Sequence, residues 1–492
     1  MQYTIFPIDL LVILGHQSCS VRGTHMSGKG LCMNILCCGM SLLRIGLVVM
    51  SICSAAFAGT AFGPPVQVTP YPGKGYEPAV YVDQFGNIFA TAHKENWQLV
   101  LGPDPNAPTY TRSMSWDWVS TDGGLTFHDL PGLTPLSLEQ HEFGDEGDMA
   151  LDDDYHLYFV DTNVTDNTVT RWTATGPGNI RFDLTRPLVP SFQPVDDRPW
   201  VTAHGIGHVF YFGNEGDKVT YPLGQGSGSG FGPGRYTVYR SYDAAETFDS
   251  FGYTLNDSGW CRPAADHAPN SLYVYAVCNN DGGANDLTTG PDAQGNIYAY
   301  VSADDGQTFS RYLIDRYKAL DSSNSWPTVN VAPDGSVWAL YVDAGQLQCT
   351  TDPTGTTCNP VNNVLKLYHS TNHGVTWTVN DITPKVGRYR YGSLSISPNG
   401  KRLGVGIYYR PDNNSPWFVY GAIWSAGAKP SLTSLDPTNP VASAASEAPG
   451  DLMGSWFNPD GTLDVTWTRG DPQVLGVARI SRDIYFARSS TK

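Results

Sequence analysis

Short runs of β-forming residues alternate with turn residues along most of the chain after residue 75. In the segment 331–338, for example, Val331 precedes the turn residues Pro333-Asp334-Gly335, and Val337 and Trp338 follow them. No long segment keeps the 3.6-residue apolar period of an amphipathic helix. This pattern predicts an all-β protein made of consecutive hairpins.

The same hairpin signal, a strand run, a turn with Asp, Asn or Gly and a second strand run, recurs through the chain. It occurs in the segments 82–89, 151–158, 331–338, 396–400 and 457–464. Further strand runs follow the hairpins, and a second kind of turn ends the third strand in four of the seven units; it is degenerate or absent in the second, sixth and seventh. The order strand A, turn, strand B, loop, strand C, turn, strand D is that of a four-stranded propeller blade.

The second kind of turn has the pattern small hydroxyl, any residue, acid or amide, any, small, any, Thr, aromatic. It occurs in the segments 120–127, 241–248, 302–309 and 370–377. The acid or amide positions are Asp122, Asp243, Asp304 and Asn372. Such a side chain accepts backbone N–H groups inside a turn, and glycine supplies a positive φ. We therefore expect these four residues to be structural rather than catalytic.

These four segments resemble the Asp-box of the bacterial neuraminidase repeat, which is found in the sialidase superfamily and in other propellers. The resemblance implies a sialidase-like β-propeller over essentially the whole mature chain. The segments begin 121, 61 and 68 residues apart, so one blade without a clean box lies in the first interval. Residues 59–492 then divide into seven blades of about 62 residues. Six blades are the alternative if the last unit merges with the N-terminal strand.

The N-terminal residues have the pattern of a targeting segment. Arg44 precedes the apolar run 45–50, and Ala56-Phe57-Ala58 supplies a small-x-small cleavage site. We expect residues 1–58 to be a signal segment and residues 59–492 to form a single propeller domain that is secreted, periplasmic or extracellular. Residues before Met33 could be a mis-assigned start. A membrane anchor is the alternative, but the apolar run is too short to span a bilayer, and we expect no stable membrane insertion.

Five of the nine cysteines lie in the segment expected to be removed, which leaves Cys261, Cys278, Cys349 and Cys358. An even number in an exported chain suggests disulfides. Cys261 and Cys278 are equidistant from a hairpin turn near residues 269–270, so they would face each other on adjacent strands. Cys349 and Cys358 flank the loop 350–357. No Cys-x-x-Cys spacing occurs, and we expect neither a metal nor another cofactor.

The net charge of −17 argues against nucleic acid and against an anionic membrane surface as partners. A carbohydrate or glycoconjugate remains, with a protein as the alternative partner, and we expect a monomer. Function should gather where the inner strands begin and the long loops emerge. The candidate acid, base or nucleophile residues are Asp197, Glu146 and Tyr391, and the candidate ligand-binding residues are Glu77, Asp148, Arg198, Arg262, Trp326 and Arg388. The alternative is that these residues pair with one another and hold the blades together.

Sialidases carry an Arg-Ile-Pro signature in the first inner strand, where this chain has Tyr76-Glu77-Pro78. An acid therefore stands where that family places the first arginine of a carboxylate-binding triad. We expect no appreciable release of sialic acid, and binding of a neutral or cationic saccharide or of a protein. The sequence leaves open whether the protein is a glycoside hydrolase of altered specificity or a non-catalytic glycan-binding or protein-binding scaffold.

Overall fold

The structure is a computed structural model. It describes residues 12–14, 17–19, 60–68, 75–93, 115–131, 146–162, 167–188, 199–215, 235–256, 258–280, 294–318, 326–352, 355–444, 452–470 and 482–490. The chain separates into two units, Met1–Phe57 and Ala58–Lys492. In the first unit, β1 (Val12–Leu14) and β2 (Gln17–Cys19) form an antiparallel pair.

The second unit is an all-β propeller of seven four-stranded antiparallel sheets, and the described residues contain no helix. Blade 1 contains β4 (Tyr76–Val82), β5 (Ile88–His93), β6 (Ser115–Ser120) and β7 (His128–Asp129). Blade 2 contains β8 (Glu146–Leu151), β9 (His156–Thr162), β10 (Asn167–Gly176) and β11 (Asn179–Pro187). Blade 3 contains β12 (Trp200–His204), β13 (His208–Glu215), β14 (Arg235–Ser241) and β15 (Tyr253–Leu255).

Blade 4 contains β16 (Trp260–Ala265), β17 (Val274–Asn280), β18 (Gln294–Ser302) and β19 (Ser310–Lys318). Blade 5 contains β20 (Thr328–Val331), β21 (Val337–Asp352), β22 (Gly355–Ser370) and β23 (Thr378–Asp381). Blade 6 contains β24 (Arg388–Ile396), β25 (Arg402–Arg410), β26 (Phe418–Ser425) and β27 (Thr433–Ser434). Residues 343–352 and 355–363 continue β21 and β22 as a paired ladder, where the sequence predicted the loop 350–357.

Blade 7 closes the ring with strands from both ends of the propeller. β28 (Gly454–Phe457), β29 (Leu463–Arg469) and β30 (Asp483–Arg488) are followed in the sheet by β3 (Val66–Gln67). β3 covers the edge of β30, which would otherwise present unpaired N–H and C=O groups. The six-blade alternative is therefore wrong, because the N-terminal strand completes a seventh sheet.

The hydrophobic core lies between neighbouring sheets. Val160 of blade 2 packs in one buried cluster with Val209 of blade 3, and Val277 of blade 4 packs with Tyr341 of blade 5. Because each sheet buries both faces against its neighbours, the blades hold one another in the ring. Among the described residues, no helix has the length and hydropathy that a membrane span needs.

A disulfide joins Cys261 and Cys278 across β16 and β17, as predicted. Cys349 is also disulfide-bonded, and its directly opposite residue across β21 and β22 is Cys358, whose side chain lies outside the described part.

The four predicted turn segments share one hydrogen-bond pattern, and we call them the Ser-x-Asp turns. In the turn of blade 4, Asp304 accepts hydrogen bonds from the backbone N–H and the hydroxyl of Thr308 at 2.9 and 2.6 Å. Ser302 donates to Asp304 at 2.8 Å and accepts the buried N–H of Gly306 at 2.8 Å. Burial alone would raise the pKa of Asp304, but these hydrogen bonds outweigh it and lower the pKa.

These turns lie at the same end of the blades as the turns between the first two strands. We call this end the lower face, and the end where the inner strands begin the upper end. The Ser-x-Asp turns also contact the preceding blade: Arg240 of blade 3 donates to the carbonyl of Gly306 in blade 4 at 3.4 Å. The tight turn thus serves both its own hairpin and the neighbouring blade.

Candidate functional site

The inner strands of the seven blades enclose a cavity of about 470 Å³, which we call the channel cavity. Its lining begins at Asp148 and Arg262 and extends to the lower face, where the side chains of Asp153 and His267 are 41% and 48% exposed. This volume is in the range of small-ligand sites. The cavity therefore joins two predicted site residues to solvent at the lower face.

Three polar residues stand at equivalent positions of three inner strands. Asp148, Arg262 and Thr328 each lie three residues before the last ladder pair of their strand, in β8, β16 and β20. The ring of blades therefore brings them to one level, although they are far apart in the sequence. All three line the channel cavity.

Asp148 is buried and accepts two hydrogen bonds. The hydroxyl of Tyr81, from blade 1, donates to one oxygen at 3.1 Å, and the backbone N–H of Val201, from blade 3, donates to the other at 3.3 Å. Burial raises the pKa of Asp148, and the positive charge of Arg262 only partly opposes this effect. Burial and the Asp148 charge raise the pKa of Tyr81 well above its usual value. Asp148 is thus an acid with an increased tendency to hold its proton.

Arg262 lies flat on an aromatic surface beside the cavity. Its guanidinium carbon is 3.9 Å from the centroid of the Trp200 ring, and Trp200 donates its own N–H to the hydroxyl of Tyr236 at 3.1 Å. Within the described part of the chain, the guanidinium of Arg262 makes neither a hydrogen bond nor an ion pair within 4.0 Å. An arginine presents five N–H donors in a planar fork that suits a carboxylate or neighbouring hydroxyls. These donors are available to a ligand in the cavity.

Thr328 adds a second polar group without a partner. Its residue is 8% exposed, and its hydroxyl has no hydrogen-bond partner among the described residues. A buried hydroxyl left in this state is costly, on the order of 1–3 kcal/mol. On the next two blades the polar side chains are used: the hydroxyl of Ser455 donates to the carbonyl of Ser393 at 2.7 Å. At this level of the cavity, the polar groups without a hydrogen-bond partner among the described residues are therefore the Arg262 guanidinium of blade 4 and the Thr328 hydroxyl of blade 5.

Trp326, a predicted ligand-binding residue, does not line the channel cavity. It packs among aromatic rings at the start of the inner strands, with centroids 5.7 Å from Trp200 and 4.3 Å from Trp260. It thereby supports Trp200, on which Arg262 stacks.

Glu77 and Tyr391 share an unusual backbone conformation. Both have positive φ, 56° and 51°, and both lie at irregularities in the ladder of an inner strand. The N–H of Glu77 donates to the hydroxyl of Thr468 at 2.9 Å, and the N–H of Thr468 donates to the hydroxyl of Tyr408 at 2.9 Å. The ring of Tyr391 lies 6.3 Å from that of Tyr408. Both residues are buried in this cluster and neither lines the channel cavity.

Arg388 belongs to the same end of the molecule and bonds to amides. Its guanidinium donates to the side-chain oxygens of Asn363 at 3.1 Å and Asn413 at 3.0 Å. Arg410 lies nearby, 4.4 Å above the Trp417 ring. Arg388 thus orders polar side chains of neighbouring segments.

Asp197 and Arg198 lie outside the described residues. Glu146 begins β8, and nothing is described of its side chain. Tyr81 and Thr328 were not among the predicted site residues, because each occupies an ordinary strand position. Their proximity to Asp148 and Arg262 follows only from the alignment of the inner strands.

No family model matches this chain, and no curated protein sequence matches it. Several solved structures share its architecture. A protein of unknown function from Dyadobacter fermentans has 12% identity and a TM-score of 0.47, over 88% of this chain and 100% of that one. The polysaccharide lyase Uly1 has 10% identity and a TM-score of 0.47 over the same shares. The sialidase NanB from Streptococcus pneumoniae, as its K499G mutant, has 10% identity and a TM-score of 0.42, over 88% of this chain and 70% of that one. At these values the similarity concerns the fold alone.

Proposed function

We propose that this protein binds carbohydrate in the channel cavity, and that the ligand carries a carboxylate or another anionic group. The observation that carries the proposal is the pair of unused polar groups, the Arg262 guanidinium and the Thr328 hydroxyl, at one level of the cavity. A sugar offers hydroxyls to Thr328 and Asp148, and a carboxylate fits the guanidinium fork. We also propose that the chain is exported and built from Asp-box repeats; the Cys261–Cys278 disulfide fits an oxidising compartment.

The acidic Glu77 is compatible with an anionic ligand at this place. Glu77 is not part of the lining of the channel cavity, so it is not a direct contact of a ligand bound beside Arg262. The expectation of a neutral or cationic saccharide was based on Glu77 and on the acidic net charge of −17, neither of which describes the immediate surroundings of Arg262. The position of Arg262 instead favours an acidic sugar.

Cleavage of the bound sugar is a second candidate function, and the contact between Asp148 and Tyr81 favours it. A carboxylic acid with a raised pKa is suited to donate a proton to a leaving oxygen. The hydroxyl of Tyr81 would then fix the orientation of the carboxyl group. Binding without cleavage remains the simpler function, because it requires only Arg262 and Thr328.

The test is a glycan array of acidic and neutral saccharides, followed by calorimetric titration of the best ligand. We expect Arg262→Ala to weaken binding by about 10–100-fold, which corresponds to loss of a charge-assisted hydrogen bond. Thr328→Val should weaken it by roughly 3–10-fold. The matched control is Arg311→Ala: Arg311 lies in the same blade, 4.7 Å above the Tyr298 ring, but is exposed on an outer strand.

Absence of binding to every saccharide, or equal losses for Arg262→Ala and Arg311→Ala, would contradict the proposal. Cleavage is tested separately by incubating the bound saccharide and measuring new reducing ends. If the protein cleaves it, Asp148→Asn should abolish turnover and leave most of the affinity. Binding without any turnover in the parent protein identifies a non-catalytic propeller.

A further inference from the structure

We propose that His204, His208 and Asp305 form a Zn²⁺ site at the lower face, between blades 3 and 4. The two histidines flank the turn between β12 and β13, and Asp305 belongs to the Ser-x-Asp turn of blade 4. Their potential ligand atoms all lie within 4.8 Å of one another. The site is separate from the carbohydrate proposal, which concerns the level of Arg262 in the channel cavity.

The distances place the Asp305 carboxylate between the two imidazoles. Nε2 of His204 lies 2.9 Å from one carboxylate oxygen, and Nδ1 of His208 lies 2.8 Å from the other. Nδ1 of His208 is buried and lacks hydrogen-bond geometry toward any partner among the described residues, despite the short distance. A nitrogen in this state is suited to donate its lone pair to a metal. The side chain of His208 is 32% exposed, which leaves its ring room to adjust to metal–ligand distances of about 2.0–2.2 Å.

Among the four Ser-x-Asp turns, only that of blade 4 has a carboxylate at the position of Asp305. The residue after the turn acid is Gly123, Ala244, Asp305 or His373 in the four Ser-x-Asp turns, and all four have positive φ. In blade 4 the carboxylate that forms the turn is that of Asp304. The turn therefore does not need the Asp305 carboxylate. A non-glycine residue at φ 60° directs it instead toward the two histidines.

Neighbouring residues hold the three ligands in place. The His204 ring stacks on Phe210 at 5.4 Å and 8°, and Tyr242 packs edge-on against His208 at 5.1 Å. The hydroxyl of Tyr242 also donates to the backbone carbonyl of Asp305 at 2.8 Å. Contacts that orient the ligands are typical of metal sites, because they reduce the entropy lost on binding.

The turn that carries the histidines is fixed from blade 2. The N–H of Gly205 donates to Asp153 at 2.7 Å, and the N–H of Gly207 donates to Asp152 at 3.0 Å. The ligand-bearing segments of blades 3 and 4 are therefore both fixed before any ion binds.

The donor set suits zinc. Two imidazole nitrogens and one carboxylate oxygen are common Zn²⁺ ligands, and three protein ligands leave a fourth position for water or another group. The partly exposed His208 places that position toward solvent. Because Asp305 comes from a different blade than the histidines, bound zinc would also link blades 3 and 4.

The experiment uses the full chain after removal of metal with a chelator, and Zn²⁺ is titrated by calorimetry and by competition with a chromophoric chelator. We expect one tightly bound Zn²⁺ per chain. Asp305→Asn and His208→Ala should each weaken binding by more than about 100-fold, beyond the 10–100-fold range that neighbours of the ligands produce. The matched control is His373→Ala: His373 has in the turn of blade 5 the position that Asp305 has in blade 4, and it stacks on Tyr273 at 4.0 Å outside the three-residue cluster.

Two further measurements separate the site from a folding defect. Co²⁺ in place of Zn²⁺ should give visible absorption bands in the parent and in His373→Ala, and none in His208→Ala. Zn²⁺ should raise the Tm of the parent but not of His208→Ala, while near-ultraviolet circular dichroism shows that the variant is folded. No stoichiometric zinc in the parent, or equal loss in His373→Ala, would show that the three residues form only an Asp–His cluster and would overturn the proposal.

Discussion

Two aspartates of this protein have pKa values that their surroundings shift in opposite directions. One is Asp304 in a Ser-x-Asp turn, and the other is Asp148 in the channel cavity. Asp304 receives its hydrogen bonds from residues two to four positions away, and they lower its pKa. Asp148 is bonded by Tyr81 and Val201, which are 67 and 53 residues away, and burial raises its pKa. The pKa of the turn carboxylate is thus set by residues close to it in the sequence, and the pKa of the channel carboxylate by the packing of the blades.

The same contrast separates two kinds of glycine at the lower face. Gly86 has a φ of 80°, and an added Cβ would meet nothing within 4 Å. Gly124 has a φ of 88°, and its Cβ would overlap the ring of Phe486 in blade 7. The first glycine is required only by the turn, and the second also by the closure of the ring.

The largest effect is expected for Gly124→Ala. The substitution combines a strained φ with overlap of the Phe486 ring between blades 1 and 7, and it should lower the free energy of unfolding by about 3–5 kcal/mol. Gly86→Ala, with strain alone, should lower it by about 1 kcal/mol. Chemical denaturation of both variants measures the difference. Similar losses would show that ring closure adds nothing at this position.

A second effect, of similar size but dependent on pH, is expected for a carboxylate buried inside blade 1. Burial raises the pKa of Asp117 to about 8, and the negative charge of Asp129 adds to this effect. The folded state therefore holds a proton that the unfolded state releases near pH 4, and its stabilising effect is lost as the pH rises from about 4 to about 8.

Asp117→Asn should accordingly be equal to the parent near pH 4 and more stable than it by up to about 5 kcal/mol at pH 8.5, since each unit of pKa shift corresponds to about 1.4 kcal/mol. Thermal unfolding across this range provides the measurement. Asp122 of the first Ser-x-Asp turn should behave oppositely, since its hydrogen bonds lower its pKa to about 2 and its contribution disappears only as the pH falls from about 4 to about 2. A variant whose Tm differs from the parent by the same amount at every pH would contradict this interpretation.

The smallest effects concern the residues of one Ser-x-Asp turn. Asp304→Ala should lower stability by about 1 kcal/mol or less, because the Thr308 N–H and hydroxyl that it binds are exposed and can turn to water. Ser302→Ala should cost about 1–2 kcal/mol, because it leaves the buried N–H of Gly306 without its partner. Both variants should keep the affinity of the channel cavity for its ligand. A larger loss for Asp304→Ala than for Ser302→Ala would reverse the assignment of roles within the turn.

Much of the architecture could be predicted because its signals are local. A hairpin turn, a Ser-x-Asp turn and the Cys261–Cys278 pairing each depend on residues close in the chain. The number of blades was less certain, because β3 pairs with β30 only after more than 400 intervening residues. Arg262 and Asp148 were found as candidates from their strand positions, but Trp326 packs in the core beside them.

The strand order, the turn chemistry and the repeat follow from local sequence, since hydrogen bonds over two to four residues and a period-two side-chain pattern need no distant partner. Which side chains share a site depends instead on how the blades pack. Tyr81 reaches Asp148 across 67 residues, and His204 reaches Asp305 across 101. Such contacts arise because seven similar sheets pack into a ring, where equivalent strand positions fall on one level and the end of each turn faces the preceding blade.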